Sequence, residues 1–164
     1  MMGTHRAAGL SRATVALVGD DRGAGSPGKG TAMPSYIATG AIHHLTLTVT
    51  DVGRAREFYT GLLGFQVVGE FGPRVVLSNG SALLALGPAP TRALSGDRFD
   101  ENRVGLDHLS FAVGSREELE EAVRLLDERG VSHGAITDLG DFHISVLMFR
   151  DPDNIQVELT APHS

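Results

Sequence analysis

Residues 42–49 read IHHLTLTV, and residues 106–113 read LDHLSFAV. When His44 is aligned with His108, both stretches follow the pattern His-Leu-(Thr or Ser)-apolar-(Thr or Ala)-Val, and a helical pattern comes after each of them. A repeated segment of this kind indicates two copies of one supersecondary unit. The sequence therefore predicts two related modules, one over residues 41–88 and the other over residues 105–161.

Each module is predicted to contain one strand, one helix and then three further strands. Apolar residues at helical spacing predict the helices, with Asp51 as the N-cap of the first and a capping box from Ser115 to Glu118 in the second. Gly64 and Gly130 end these helices. The predicted strands cover residues 41–49, 65–70, 74–77, 82–86, 106–113, 131–137, 143–149 and 155–160. The expected fold class is α+β, with two βαβββ modules forming a curved mixed sheet around a cleft.

The composition excludes several classes of function. The 164 residues include no cysteine, which rules out disulfides, thiolate metal ligands and cysteine nucleophiles. A net charge of −6 with 5% aromatic residues is a poor match for a nucleic-acid-binding protein, which needs a basic face. The apolar runs fall short of the roughly 18–20 residues that cross a bilayer, so we expect a cytoplasmic protein with no membrane partner.

The first 38 residues differ in composition from the rest. They are rich in Gly, Ala, Ser and Arg without periodicity, so we expect a disordered extension before a domain over residues 39–164. Residues 23–30 resemble a phosphate-binding loop, but Gly30 follows Lys29 where such a loop needs Ser or Thr, so we interpret them as a linker. A start at Met33 would still give the whole domain, and our hypothesis is that residues 1–32 are an over-long start assignment.

Alternation along the strands places a set of polar side chains opposite the apolar ones. That set comprises His44, Thr46, Thr48, His108, Ser110, Gln156 and Glu158. His44, His108 and Glu158 are then expected to project into one cavity, where two imidazoles and one carboxylate suit a divalent metal ion. His43 falls on the opposite face of its strand, and His133 is expected at the surface.

With these motifs in place, the chain resembles the vicinal oxygen chelate superfamily. This group includes glyoxalase I, methylmalonyl-CoA epimerase, extradiol dioxygenases, fosfomycin-resistance transferases and bleomycin-binding proteins. The resemblance covers residues 41–161 and is carried by residues 42–51, 58–59, 62–65, 107–113 and 149–159. It implies metal ligands on the first, fourth, fifth and eighth strands. His44, His108 and Glu158 match the first, fifth and eighth, but the fourth position falls near Ala85, which cannot bind a metal.

The lack of a fourth ligand separates this chain from glyoxalase I and the epimerase, which use four protein ligands. A set of three is similar to that of extradiol dioxygenases and fosfomycin transferases, but neither match is complete. The position of the extradiol tyrosine is Met148, and the only lysine is Lys29, whereas fosfomycin transferases hold their substrate with Lys, Ser, Tyr and Arg residues. The reaction type (lyase or isomerase, dioxygenase, or transferase) therefore stays open.

The resemblance implies a divalent-metal-dependent enzyme that binds a small oxygen-rich substrate through two of its oxygens at a His2Glu centre. Fe2+, Mn2+, Zn2+, Ni2+ and Co2+ each suit such ligands. Asp141 and His143, which enter the seventh strand, are candidates for acid–base or substrate contacts, and Glu158 is the third catalytic candidate. The candidates for the pocket lining are Thr46, Thr48, Ser110 and Gln156.

The alternative is a metal-free protein that sequesters a drug or another aromatic ligand, similar to the bleomycin-binding members of the group. The presence of the two histidines and the glutamate favours the enzyme over this alternative. By resemblance we also expect a homodimer. The two modules can pair within one chain or by exchange between two chains, and the connection between them permits either.

Overall fold

The computed structural model describes residue 37, residues 39–91 and residues 94–163. The predicted N-terminal extension and the segment at residues 23–30 therefore lie outside the described residues, apart from residue 37. The unit that begins at Gly40 contains every helix and strand of the described chain. None of these helices has the length and apolar character that crossing a membrane requires.

Both predicted modules form, and each has the order βαβββ. The first module contains β1 (Leu45–Thr48), α1 (Val52–Gly61), β2 (Gln66–Phe71), β3 (Arg74–Ser78) and β4 (Leu83–Gly87). The second contains β5 (Leu109–Ala112), α2 (Arg116–Glu128), β6 (Thr137–Leu139), β7 (Ile144–Arg150) and β8 (Gln156–Pro162), with a 3-10 turn (Gly140–Phe142) before β7. The prediction of an α+β fold built from two βαβββ units is confirmed.

The strands form two four-stranded mixed sheets with equivalent strand orders, β1-β4-β3-β2 and β5-β8-β7-β6. β1 is parallel to β4 and β5 is parallel to β8, whereas the other neighbours are antiparallel. The first strand of each module therefore lies at the edge of its sheet. An edge strand presents backbone groups on its outer side, which makes it a natural place for a second element to approach.

The helix starts agree only in part with the sequence prediction. Asp51 caps α1 as expected, because its carboxylate accepts a hydrogen bond of 3.0 Å from the backbone N–H of Arg54. In α2 the predicted capping box is wrong in detail. Ser115 is the N-cap residue without capping through its side chain, and Glu118 accepts from the N–H of Gly114 at 2.7 Å. The hydroxyl of Ser115 is instead hydrogen-bonded to Glu117, which lowers the pKa of that carboxyl.

The predicted sixth strand, residues 131–137, is also displaced. The N–H of Val131 bonds to the carbonyl of Leu126 and so closes the end of α2. His133 then makes one isolated bridge to Phe149, and the ladder with β7 begins only at Thr137. The first residues after α2 are thus used to end the helix, and the strand is shorter and later than its apolar pattern predicts.

Two apolar clusters form the core and share side chains. In the first, α1 buries Ala55 and Tyr59 against the sheet of the first module, and in the second, α2 buries Leu119 and Leu126 against the other sheet. Phe58 packs against both clusters, so the core continues from one module to the other. Each large buried side chain contributes about 1.5–3 kcal/mol, so the shared core holds the two modules together within the chain.

Candidate metal centre

The strand ladders place His44 and His108 at equivalent positions of the two modules. β1 pairs Thr46 with Ala85 of β4, and β5 pairs Ser110 with Glu158 of β8. Ala85 therefore occupies the position in the first module that Glu158 occupies in the second. Because each histidine lies two residues before the paired Thr or Ser, the second module offers an imidazole and a carboxylate, and the first offers an imidazole and a methyl group.

His108 and Glu158 lie together beside the β5–β8 ladder. Nε2 of His108 is 3.7 Å from Oε1 of Glu158, and the Glu158 side chain is only 9% exposed. The same Oε1 accepts a hydrogen bond of 2.9 Å from the hydroxyl of Thr160, which lies 2.6 Å from the hydroxyl of Ser110. Two hydroxyls thus hold the carboxylate in place on the face that the sequence assigned to the cleft.

The other ring nitrogen of His108 faces a second carboxylate. Nδ1 of His108 is 2.6 Å from Oδ1 of Asp107, and the side-chain amide of Gln156 donates to the same oxygen at 3.3 Å. A carboxylate only accepts hydrogen bonds, so Nδ1 carries the proton. In the neutral ring, Nε2 then has a lone pair that faces the Glu158 oxygen. The lone pair of Nε2 and the Glu158 carboxylate repel each other at this distance. A positive charge, either a proton on Nε2 or a cation between the two groups, would remove the repulsion.

A metal ion fits this pair of donors. Nitrogen and oxygen ligands lie about 2.1 Å from zinc, so two of them can be no more than about 4.2 Å apart around one ion. The separation of 3.7 Å between Nε2 of His108 and Oε1 of Glu158 is within that limit. The His108 side chain is 34% exposed, so an ion can reach it from solvent. The burial of Glu158 adds to the fit, because a buried carboxylate needs a compensating charge or donors.

His44 lies apart from this pair within one chain. It is exposed, and its Nδ1 is 2.9 Å from Nδ1 of His43, which is exposed too. Beyond the other end of β1, Thr50 contacts the second module by donating its N–H at 3.2 Å and its hydroxyl to the carboxylate of Asp153. His44 and Thr50 are separated by about 20 Å of extended chain. Among the described residues, no three His, Asp or Glu side chains converge as metal ligands.

Asp141 and His143 are not brought to Glu158 either. Asp141 lies in the 3-10 turn, and His143 ends that turn with a left-handed backbone (φ 54°). The partner of Glu158 on β7 is Met148, about 17 Å of strand beyond His143. The ring of His143 instead lies 6.4 Å, centre to centre, from the ring of His163. Their contact with substrate stays a prediction.

The four predicted pocket residues divide between the two sheets. Thr46 and Thr48 line a cavity of about 380 Å3 whose opposite wall is the connection between the modules, including Leu94, Phe99 and Leu106. Ser110 and Gln156 belong to the second sheet, beside Glu158 and Asp107 respectively. Leu106 precedes Asp107 and His108 directly in the chain. The wall of the cavity therefore continues into the half-site, by which we mean the pair of potential ligands His108 and Glu158.

The connection between the modules is anchored by contacts that the sequence did not reveal. The guanidinium of Arg150 binds both carboxylate oxygens of Glu101, at 2.9 and 2.6 Å, and this pairing lowers the pKa of Glu101 to about 2. Phe99 adds two backbone bonds, since its N–H donates to the carbonyl of Asp153 at 3.0 Å and its carbonyl accepts from Asn154 at 2.8 Å. The partners lie about 50 residues apart along the chain, so no local pattern marks them.

Two βαβββ modules, with His44 and His108 at equivalent positions, define a vicinal-oxygen-chelate fold. A family model described as the Glyoxalase/Bleomycin resistance protein/Dioxygenase superfamily matches residues 41–159. The chain belongs to this superfamily. A curated relative, the uncharacterized protein YwkD of Bacillus subtilis, is 32% identical over 126 residues, which cover 73% of this chain and 94% of YwkD.

Solved structures agree with this assignment. A glyoxylase/bleomycin resistance protein/dioxygenase domain from Frankia is 28% identical with a TM-score of 0.66, covering 77% of this chain and 95% of that one. A lactoylglutathione lyase from Agrobacterium tumefaciens (22% identity, TM-score 0.59, 75% and 94% covered) has the same fold. So does the fosfomycin resistance protein FosX from Listeria monocytogenes (18% identity, TM-score 0.61, 76% and 94% covered). The last two likenesses concern the fold alone.

Proposed function

We propose that this protein is a divalent-metal-dependent enzyme that acts on a small oxygen-rich molecule. Its ligands would be His108 and Glu158 of one chain and His44 of a second copy. The observation that carries the proposal is the approach of Nε2 of His108 to the buried Glu158 carboxylate at 3.7 Å, with the Nδ1 proton directed to Asp107. This is the arrangement of a histidine ready to bind a metal, with a second ligand beside it.

A second copy supplies the missing histidine most simply. Each chain carries one half-site with His108 and Glu158 and another with His44 and Ala85 at the equivalent positions. β1 and β5, which lead from these histidines, are both edge strands. A two-fold axis that brings β1 of one chain towards β5 of the other would therefore create two identical centres. This is the exchange between two chains that the sequence leaves open.

A metal bound here would act as a Lewis acid that stabilises negative charge developing on a substrate oxygen. Glu158 would hold the ion, and the hydroxyls of Thr160 and Ser110 would keep its carboxylate in place. Ala85 brings no donor to the position where a fourth protein ligand would be. Three protein ligands leave coordination positions for water or for two substrate oxygens. Nitrogen and oxygen donors suit Fe2+, Mn2+, Zn2+, Ni2+ and Co2+ alike.

Metal analysis of wild-type protein and of two variants, His44→Ala and Glu158→Ala, tests both parts of the proposal. We expect one metal per chain in the wild type and a loss in each variant. A mixture of the two variants, unfolded and refolded together, should recover one metal per mixed dimer, because one of its two centres has all three ligands. Metal binding in the wild type with no recovery in the mixture would contradict the shared site. A wild type that binds none of the five ions would contradict the enzyme.

The cavity favours a second candidate, a metal-free ligand-binding protein. Its volume of about 380 Å3 and its wall of Leu94, Phe99 and Leu106 suit an aromatic or aliphatic molecule of modest size. Calorimetric titration with aromatic ligands in the presence of a chelator separates the two functions. Tight binding that survives the chelator and the Glu158→Ala substitution would support this candidate against the enzyme.

A further inference from the structure

We infer that Asp107, itself held by Gln156, is a positioning residue that fixes the tautomer of His108 so that Nε2 is the nitrogen available to a metal. The inference rests on the proposed function and adds to it two residues, Asp107 and Gln156, that orient a ligand without binding the metal. It assigns Asp107 no contact with metal or substrate. The residues involved are neighbours in the chain or across the β5–β8 ladder, so the arrangement belongs to one module.

The imidazole of His108 has a hydrogen-bond acceptor, Asp107, at one nitrogen and the proposed metal ligand Glu158 at the other. Oδ1 of Asp107 is 2.6 Å from Nδ1 of His108, a short distance typical of a charge-assisted hydrogen bond. Glu158 faces the opposite nitrogen at 3.7 Å. A neutral imidazole has one N–H and one lone pair, so whichever group occupies Nδ1 decides what Nε2 presents. With a carboxylate at Nδ1, Nε2 presents its lone pair.

Gln156 keeps the Asp107 carboxylate in its place. Its side-chain amide donates to Oδ1 of Asp107 at 3.3 Å, and Gln156 is only 9% exposed, so packing holds it. Gln156 and Glu158 are two residues apart on β8 and thus share one face of that strand. β8 therefore controls both nitrogens of His108, one through Gln156 and Asp107 and the other through Glu158. The same oxygen of Asp107 receives both hydrogen bonds, which engages it away from a metal.

The first module lacks this device. The residue before His44 is His43, and the two rings face each other through their Nδ1 atoms at 2.9 Å. A histidine can donate or accept at that nitrogen, so His43 does not dictate the tautomer of His44. The two modules therefore differ in the same way at both positions. The second module has the proposed ligand Glu158 and also Asp107, whereas the first module has neither equivalent.

The test compares Asp107→Ala with Asp107→Asn, which keeps an acceptor oxygen, and with Glu57→Ala, which removes a charge from the exposed side of α1. Nitrogen-15 NMR of the metal-free proteins measures the tautomer of the His108 ring. We expect the Nδ1–H form to dominate in the wild type and in Glu57→Ala, to decline in Asp107→Asn, and to decline most in Asp107→Ala. Metal affinity should fall about 10–100-fold in Asp107→Ala, the usual cost of losing such a partner.

The two measurements separate this inference from the proposed function. An unchanged His108 tautomer in Asp107→Ala would overturn the inference, whatever the metal affinity does. Complete loss of metal with an unchanged tautomer would make Asp107 a ligand instead, which also overturns it. A shifted tautomer in a protein that binds no metal would support the positioning role of Asp107 and overturn the proposed enzyme.

Discussion

The hydroxyl of Tyr59 donates a hydrogen bond of 3.1 Å to the carboxylate of Asp151, and both side chains are buried. Tyr59 belongs to α1 of the first module, whereas Asp151 opens the turn between β7 and β8 of the second. The other oxygen of Asp151 accepts from the N–H groups of Asp153 and Ile155, at 2.8 and 2.7 Å. Burial raises the pKa of both Asp151 and Tyr59. This bond therefore couples the helix of one module to the turn that precedes β8 of the other.

Replacing Tyr59 with Phe should destabilise the fold by about 1–3 kcal/mol, because a buried carboxylate oxygen loses its donor. Urea unfolding of Tyr59→Phe, Asp151→Asn and the double variant measures the coupling. In the double variant the loss should be smaller than the sum of the two single losses, since no charge is left without a partner. Additive losses would show that the two side chains do not interact.

A pH-dependent contribution to stability is expected from His133. Its Nδ1 is 2.7 Å from the carbonyl of Gly134, and its Nε2 is 3.2 Å from the carboxylate of Asp127. Two acceptors favour the ring with both nitrogens protonated, and the backbone contact and Asp127 raise the pKa of His133. The folded pKa lies above the unfolded value, so this stabilisation is fully present below about pH 6.5. It is lost as the pH rises through the folded pKa.

Unfolding of the wild type and of His133→Gln at pH 5.5 and at pH 9 measures this effect. The difference between the two proteins should be larger at the lower pH and should shrink at the higher one. A difference that grows with pH would contradict the assigned contacts. His163→Gln serves as the control, because the contact of 3.9 Å between its Nε2 and the Asp138 carboxylate is too long for a hydrogen bond.

The sequence predicted the module repeat well because each element has its own local signal. The apolar spacing marks α1 and α2, and Asp51 marks a helix start that the structure confirms. Alternation alone predicts that Ser110 and Glu158 lie on the polar faces of their strands, since side chains change sides at every residue. Their pairing across the β5–β8 ladder is seen only in the structure. The strand boundaries were less accurate at β1 and β5, because an edge strand extends only as far as its single neighbour pairs with it.

The local sequence patterns did not predict how the two modules contact each other. Nothing in the pattern around His44 tells how β1 lies against the second module, and the contact of Thr50 with Asp153 is seen only in the structure. The role of Asp107 had a visible sign, an acid directly before His108, but its meaning depends on which nitrogen it faces. The pairing of Arg150 with Glu101 joins residues that are remote in sequence and could only be found in three dimensions.

Loss of the Glu101 carboxylate should loosen the connection that forms one wall of the cavity. Trypsin cleaves after Arg98 and Arg103, both of which lie in this connection. Glu101→Ala should therefore be cut there severalfold faster than the wild type, because the segment opens more often. Glu70→Ala, which removes the partner of Arg56 in an exposed ion pair, is the control. Equal cleavage rates in all three proteins would contradict an anchoring role for Glu101.

Placing a carboxylate at position 85 tests the equivalence of the two half-sites. The register gives Ala85 the position that Glu158 has in the other module, and Ala85 is half-buried. In the metal-free protein, Ala85→Glu should lower stability by about 1–3 kcal/mol, because a charge is desolvated without compensation. A metal that gains the introduced carboxylate as a fourth ligand should restore that stability and dissociate more slowly into a chelator.

The control is Ala85→Gln, which has the same shape without the charge, so it should show neither the metal-dependent recovery of stability nor the slower release of metal. Equal behaviour of the two variants would place residue 85 outside the metal centre and remove the symmetry argument for a site shared between two copies of the chain.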